Sequence, residues 1–169
     1  GKQVAKAIVT IAKIDQTVIQ KSIDSYKQKH PEAKRIDFRV TAKHPSQNGT
    51  LGLMYDWAYN LMSQQERDIV RQTIVTASNK MTLQGAQNLR TIRTNSSNWI
   101  SWTSRLVCLL AAIEGEEGYD PVAYQHSVQA MKWFFSLSIF PDGESHEGWG
   151  KQFLMAELVY IMARRGEYF

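Results

Sequence analysis

Apolar side chains return every three or four residues along almost the whole of this chain, and that spacing constrains the fold more than any other feature. A helix turns once in about 3.6 residues, so residues three and four apart share a face, whereas a strand needs strict alternation. Val4, Ile8, Ile11, Val18 and Ile19 keep the helical spacing, which predicts one long helix or two short ones over residues 2–28. Met54, Trp57, Ala58 and Leu61 are expected to share one face of a segment over 51–62, and Ile69, Val70, Ile74 and Ala77 one face of the next. Trp99, Trp102, Leu106, Leu109, Leu110 and Ile113 form another stripe, followed by Val128, Met131, Phe134, Phe135 and Leu137. A last helix is expected from about Gly150 to Arg164.

Punctuation between these stripes fits helices. Ser63 and Glu66 make the S-x-x-E capping pattern, in which each residue can satisfy a free N–H of the other at a helix start. Asp120 precedes Pro121, a cap followed by the residue best suited to a first helical position. Asn98 or Ser97 is placed to cap the stripe that begins at Trp99. "EGEEGYDP" reads as a turn. Two stretches break the periodicity. Residues 29–49 hold two prolines, Asn48-Gly49 and the alternating "RIDFRV", and read as a loop with a short extended piece. Residues 80–97 are polar with Gly85 in the middle and read mostly as loop. The expected class is all-α: five to seven helices in antiparallel succession, stacked as helical hairpins. Hairpins closed into a ring open at one face would gather the long loops on one side.

Composition narrows the partners. At 169 residues the chain is long enough for one domain with a core and short for two. Its 43% apolar and 21% charged residues are ordinary for a water-soluble fold, and no apolar run reaches the roughly 18 residues that span a bilayer. The net charge of +4 is scattered, with no arginine block and no basic strip interleaved with aromatics, which points away from nucleic acid. An acidic polysaccharide suits the same charge. One cysteine, Cys108, excludes a disulfide framework and a cysteine-based zinc site, and its apolar neighbours place it in the core. The opening Gly1-Lys2 reads as a cut end, and no leader is visible.

Three stretches carry residues with chemistry. In "IFPDGESHEGWG" (139–150), glycines surround His146, Glu147 and Trp149. Read plainly, it is a helix-to-helix connection whose acids favour the positive start of the next helix. Read functionally, His146 titrates near neutrality and can move a proton, Glu147 can orient it, and Trp149 offers a flat face to a sugar. One histidine among carboxylates is a weak ligand set, so no metal is expected. In "TNSSNWISWTSR" (94–105), Asn98 stands before Trp99 and Trp102; an amide can bond a carboxylate without adding charge, although a cap and an apolar face explain the same residues. In "GTLGLMYDWAYN" (49–60), Tyr55 and Trp57 read as core, and Asp56 as a carboxylate bonded to the backbone of a nearby loop.

Taken in order, the three stretches resemble a known family. "GLMYDWAYNLMSQQERDIVRQTIV" is similar to the Y-D-W segment and L-S-x-x-E-R run in the helical domain of heparinase II/III-like polysaccharide lyases. "SSNWISWTSRLVCLLAAIEGEEGYDPVAY" resembles the N-W helix start, aliphatic helix, acidic turn and capped helix that follow there. "FPDGESHEGWG" resembles the P-D-G-x-x-x-E-G loop after those. The likeness covers about residues 49–152. It implies a partial (α/α) toroid, with residues 1–169 as one helical domain of a larger enzyme whose C-terminal β-sandwich lies elsewhere in the polypeptide. It also implies a uronate-containing anionic polysaccharide, such as a glycosaminoglycan, cleaved by β-elimination without a cofactor, in the bacterial periplasm or outside the cell.

Carried over residue by residue, the resemblance makes Asn98 the group that neutralises the uronate carboxylate, His146 the proton-transfer residue and Glu147 the glutamate of the loop motif. Trp99, Trp102 and Trp149 would line sugar subsites, and Arg105 and Lys151 would meet acidic groups. Where the family places a tyrosine after the loop, this chain has Trp149, Lys151 and Phe153; the next tyrosine is Tyr160, inside an apolar stripe and expected in the core. That departure leaves open a noncatalytic carbohydrate-binding or scaffold domain of the same fold.

Overall fold

The structure, a computed structural model, describes the backbone of residues 1–32, 50–92, 100–138 and 156–166, and the side chains of 1–32, 50–79, 103–136 and 158–166. Six α-helices follow in order: α1 (Lys2–Lys29), α2 (Thr50–Ala58), α3 (Gln64–Ile92), α4 (Ile100–Ala112), α5 (Pro121–Ser138) and α6 (Ala156–Arg164). A 3-10 turn, Tyr59–Leu61, continues α2. Among the described residues there is no strand, so the chain is all-α.

The 2–28 stripe forms a single helix. Its buried residues are Ala5, Ile8, Val9, Ala12, Asp15 and Ile19, three and four apart, while Val4 on another face is 52% exposed. That stripe lies on α3, where Val70, Thr73, Ile74 and Ala77 are buried. The α3 start is built as its capping pattern requires: the Ser63 N–H donates to Glu66 Oε2 at 2.8 Å, and the Glu66 N–H to Ser63 Oγ at 3.3 Å. Its end differs from the sequence expectation. Residues 80–92, expected mostly as loop, continue α3 to Ile92. Lys80, Met81, Leu83, Gln84, Ala86, Gln87, Leu89 and Arg90 all form helix readily, and one interior glycine opposes them by only about 1 kcal/mol.

The core is organised around α4. Leu106, Val107, Cys108, Leu109 and Leu110 are five consecutive buried residues, which a helix shows only when neighbours cover it on every side. α2, α3, α5 and α6 all pack on it. α2 approaches closely, because Gly52 has no side chain to hold it off the Cys108 carbonyl. The turn after α4 carries Gly115 at φ 79° and Gly118 at φ 89°, left-handed conformations that a residue with a Cβ rarely adopts. Asp120 then caps α5, its Oδ1 accepting from the Ala123 N–H at 2.9 Å. On α5, Val128, Met131 and Phe134 are buried and Phe135 half-buried, as their spacing predicts.

The α2 face differs too. Leu51, Leu53, Tyr55, Ala58 and Met62 are buried, whereas Trp57 and Leu61, expected on the core side, are 61% and 47% exposed. Two competing apolar stripes run along this segment, and contact with α4 selects the one that carries Gly52 and Tyr55.

Candidate functional site

Of the residues singled out for chemistry, Asn98, Trp99, His146, Glu147, Trp149 and Lys151 lie outside the described residues, as does the side chain of Trp102 in the first turn of α4. Arg105 is half-buried on α4 and has an intramolecular contact of its own. The helices that carry these stretches are described, and their directions bear on the site. α4 and α5 are joined by a short turn and pack as an antiparallel pair, so α5 ends at the end of the bundle where α4 starts. α6 finishes beside the end of α4: Arg165 pairs with Glu114 and lies over the Tyr124 ring, 5.2 Å from its centroid. α6 packs on α4.

The opposite end of α4 holds a seam between α2 and α6. Asp56 forms an ion pair with Arg164. Trp57 donates its indole N–H to the Tyr160 hydroxyl at 2.9 Å, and the two rings stand edge to face with centroids 5.6 Å apart. Tyr160, expected in the core, is 39% exposed. α6 buries Leu158, Ile161 and Met162 instead, and Tyr160 projects from another face together with Arg164 one turn on. Asp56, Ala111, Ala112, Ile161, Arg164 and Arg165 line a pocket of about 130 Å³ beside this pair.

A second polar node sits under the seam. Tyr55 is completely buried, and its hydroxyl donates to Glu116 Oε2 at 2.8 Å. Burial, then the hydrogen bond to Glu116, raise its ionisation well above the ordinary phenol value of 10.0. Tyr55 is therefore a neutral donor at physiological pH and unsuited to act as a base. Arg71 gathers the surrounding acids: Asp68 at 2.9 Å, Glu117 at 3.0 Å and Glu116 at 3.8 Å. The node ties α2, α3 and the α4–α5 turn together. Among the described residues, no group of three or more His, Cys, Asp or Glu side chains is arranged to hold a metal ion, and no helix is long and apolar enough to cross a membrane.

Comparison with protein-family models, curated proteins and solved structures finds no match to this chain.

Sequence reasoning missed Arg71, Glu116, Arg164 and Arg165. The available signal was the Tyr160–Arg164 pair, which shares a face four residues apart and off the buried stripe. Nothing in the sequence indicated that this face would meet Asp56 and Trp57, some hundred residues earlier in the chain (|i−j| of 108 and 103).

Proposed function

We propose that this chain is the helical domain of a polysaccharide lyase that cleaves uronate-containing anionic polysaccharide by β-elimination. In this reading the succession α3, α4, α5 belongs to a partial (α/α) toroid completed by the rest of a larger enzyme. The Asn98 amide accommodates the uronate carboxylate and stabilises the enolate that forms as the adjacent carbon loses its proton. His146 takes that proton, and Glu147 orients the imidazole. The C–O bond to the leaving sugar then breaks, its oxygen takes the proton that His146 now carries, and an unsaturated uronate is left. Trp99, Trp102 and Trp149 stack on neighbouring sugars, while Arg105 and Lys151 meet their acidic groups. The partners are the polymer and a β-sandwich domain of the same polypeptide, in the periplasm or outside the cell.

One observation carries the reading. The described residues of the resemblance motifs contact one another across elements distant in the chain. The motifs behind the resemblance also meet in space: Tyr55 and Asp56 of Y-D-W reach the acidic turn through Glu116 and the helix after the loop through Arg164.

The test is ultraviolet absorbance of the unsaturated product when the full-length protein is mixed with heparin, heparan sulfate, chondroitin or alginate. Turnover is expected with one of them. His146→Ala should lower it by about 10²–10⁴-fold, and Asn98→Ala by about 10²–10³-fold. Absence of product with every uronate polymer would refute catalysis.

A noncatalytic carbohydrate-binding domain is the second reading. The observation favouring it is Tyr160, the first tyrosine after the loop, which is engaged by Trp57 in the middle of α6. Binding seen by thermal shift without product would select this reading.

A further inference from the structure

The side chains of α1 fall into two rows with the same spacing, and only one row is buried throughout. Ala5, Ile8, Ala12, Asp15 and Ile19 are buried, alternately three and four residues apart. Val4, Ala7, Ile11, Ile14 and Val18 repeat that spacing on the neighbouring face, one residue earlier at each step. Ile11 and Val18 are half-buried, Ala7 is exposed, and Val4 and Ile14 are 52% and 58% exposed. We infer that this second row is a docking surface for an amphipathic helix of another protein, one with apolar residues at the matching spacing and carboxylates beside them. The surface belongs to α1 and does not depend on how a polysaccharide is handled.

The spacing selects the shape of the occupant. A three-and-four repeat keeps a row of side chains turned toward one partner when that partner is itself a helix running nearly alongside. From Val4 to Val18 the row is roughly 21 Å long at about 1.5 Å per residue. Val4, Ile11, Ile14 and Val18 are β-branched and already stiff at χ1 in a helix, so packing a partner on them costs little further freedom. Thr10 and Thr17, exposed and next to the row, donate their hydroxyls to the Lys6 and Lys13 carbonyls, both at 2.9 Å. Covering them therefore strands no hydroxyl donor.

Charge selects the chemistry of the occupant. α1 holds six lysines (Lys2, Lys6, Lys13, Lys21, Lys27 and Lys29) against Asp15 and Asp24, so its net charge is 6 − 2 = +4. The whole chain is also +4, so α1 carries the entire excess. Asp15 is buried, and Asp24 accepts from the Gln20 amide at 2.8 Å. Lys21 continues the row one step past Val18, and Lys6 and Lys13 stand one turn before Thr10 and Thr17. Two copies of this chain joined through the row would set these lysines against each other, whereas a helix flanked by glutamate or aspartate is attracted to them. A lipid surface favours a face bearing Trp, Phe or Leu, and this row holds only valine, isoleucine and alanine.

The test uses the full-length protein and a fluorescent helical peptide of about three heptads, with leucine at the two apolar positions and glutamate beside them. A peptide identical except for lysine in place of glutamate is the control. The glutamate peptide should bind, and the lysine peptide should bind at least about tenfold more weakly. Ile14→Gln, at an exposed helical position and so compatible with folding, should weaken binding by about tenfold to a hundredfold, the factor for losing one buried isoleucine. Ile14→Cys gives a second readout, because Cys108 is buried: a maleimide should modify the introduced thiol readily, and the glutamate peptide should slow that reaction. No binding, equal binding of the two peptides, or binding unchanged in Ile14→Gln overturns the inference. Sedimentation in which the parent pairs with itself and Ile14→Gln does not would make a second copy the occupant and overturn it as well. An Ile14→Cys thiol that stays unreactive without peptide would show the row covered by the same polypeptide, with the same consequence. Vesicles of anionic phospholipid that capture the parent but not Ile14→Gln, where the peptide fails to bind, would assign the face to a membrane instead.

Discussion

Replacing Gly52 by alanine sets two known effects against each other, and the structure decides which wins. Within a helix, alanine is favoured over glycine by about 1 kcal/mol. At Gly52, however, a Cβ would stand 2.7 Å from the Cys108 carbonyl oxygen, 3.2 Å from its carbon and 3.3 Å from the Leu109 Cα. All three atoms are backbone, so no rotamer change relieves the clash. Restoring ordinary contact near 3.4 Å requires α2 to retreat by 3.4 − 2.7, about 0.7 Å. α4 cannot yield instead, because α3, α5 and α6 hold its other sides. A gap of roughly 0.5–1 Å forfeits a quarter to a half of the dispersion energy across it, and Leu51, Leu53, Tyr55 and Ala58 all lie along the opened interface. Overpacking costs about 1–3 kcal/mol, and a backbone clash that no rotamer relieves belongs in the upper half of that range, about 2–3 kcal/mol, so after the helical gain of about 1 kcal/mol Gly52→Ala should be less stable by roughly 1–2 kcal/mol. For a chain of this size that is a fall in Tm of about 2–8 °C. Urea denaturation with an unchanged slope, paired with calorimetry, measures it. A Gly52→Ala variant as stable as the parent would show that α2 does not bear on α4 through backbone contact, and the packing argument would fail. Gly115→Ala is the contrast: φ is 79° with nothing within 4 Å, so its loss of about 1–2 kcal/mol should come from the backbone alone.

Other outcomes follow from the polar groups and the core. Tyr55→Phe removes a buried hydroxyl whose acceptor, Glu116, is 24% exposed and can rehydrate, so the loss should be about 1–2 kcal/mol in chemical denaturation. Because the folded-state pKa of Tyr55 is raised, its contribution is complete below pH 10.0 and declines as pH rises toward the folded value; the parent should lose stability through that range, and Tyr55→Phe should lack this component. Glu66 is held below 4.5 chiefly by hydrogen bonds from Ser63, and Asp68 below 3.8 by those from Gln64 and Arg71. A depressed carboxylate stabilises above its unfolded pKa, so denaturation midpoints should fall as pH drops below about 4.5, and less steeply in Glu66→Gln. Leu109→Ala, at the fully buried centre of α4, should cost about 2–5 kcal/mol by the same assay.

Much of the fold was legible because local chemistry and tertiary packing agree. The Ser63–Glu66 box, the Asp120–Pro121 start and the Gly115 and Gly118 turn need only near neighbours, and each formed as its residues require. The all-apolar run at 106–110 identified a buried helix without reference to its partners. Residues 80–92 were misread because polarity was taken for loop, although polarity reports only the absence of a buried face and says nothing against helix formation. The candidate catalytic stretches are legible as motifs and lie outside the described residues.

The order of elements, their class and their caps were thus set by the sequence itself, since spacing, propensity and hydrogen bonds between near neighbours act within a few residues. Tertiary structure alone decided which of two stripes on α2 faces inward, that Trp57 and Tyr160 stand at the surface, and that Asp56 meets Arg164. Those outcomes depend on how closely Gly52 lets α2 approach α4, and on contacts between residues distant along the chain, which periodicity does not encode.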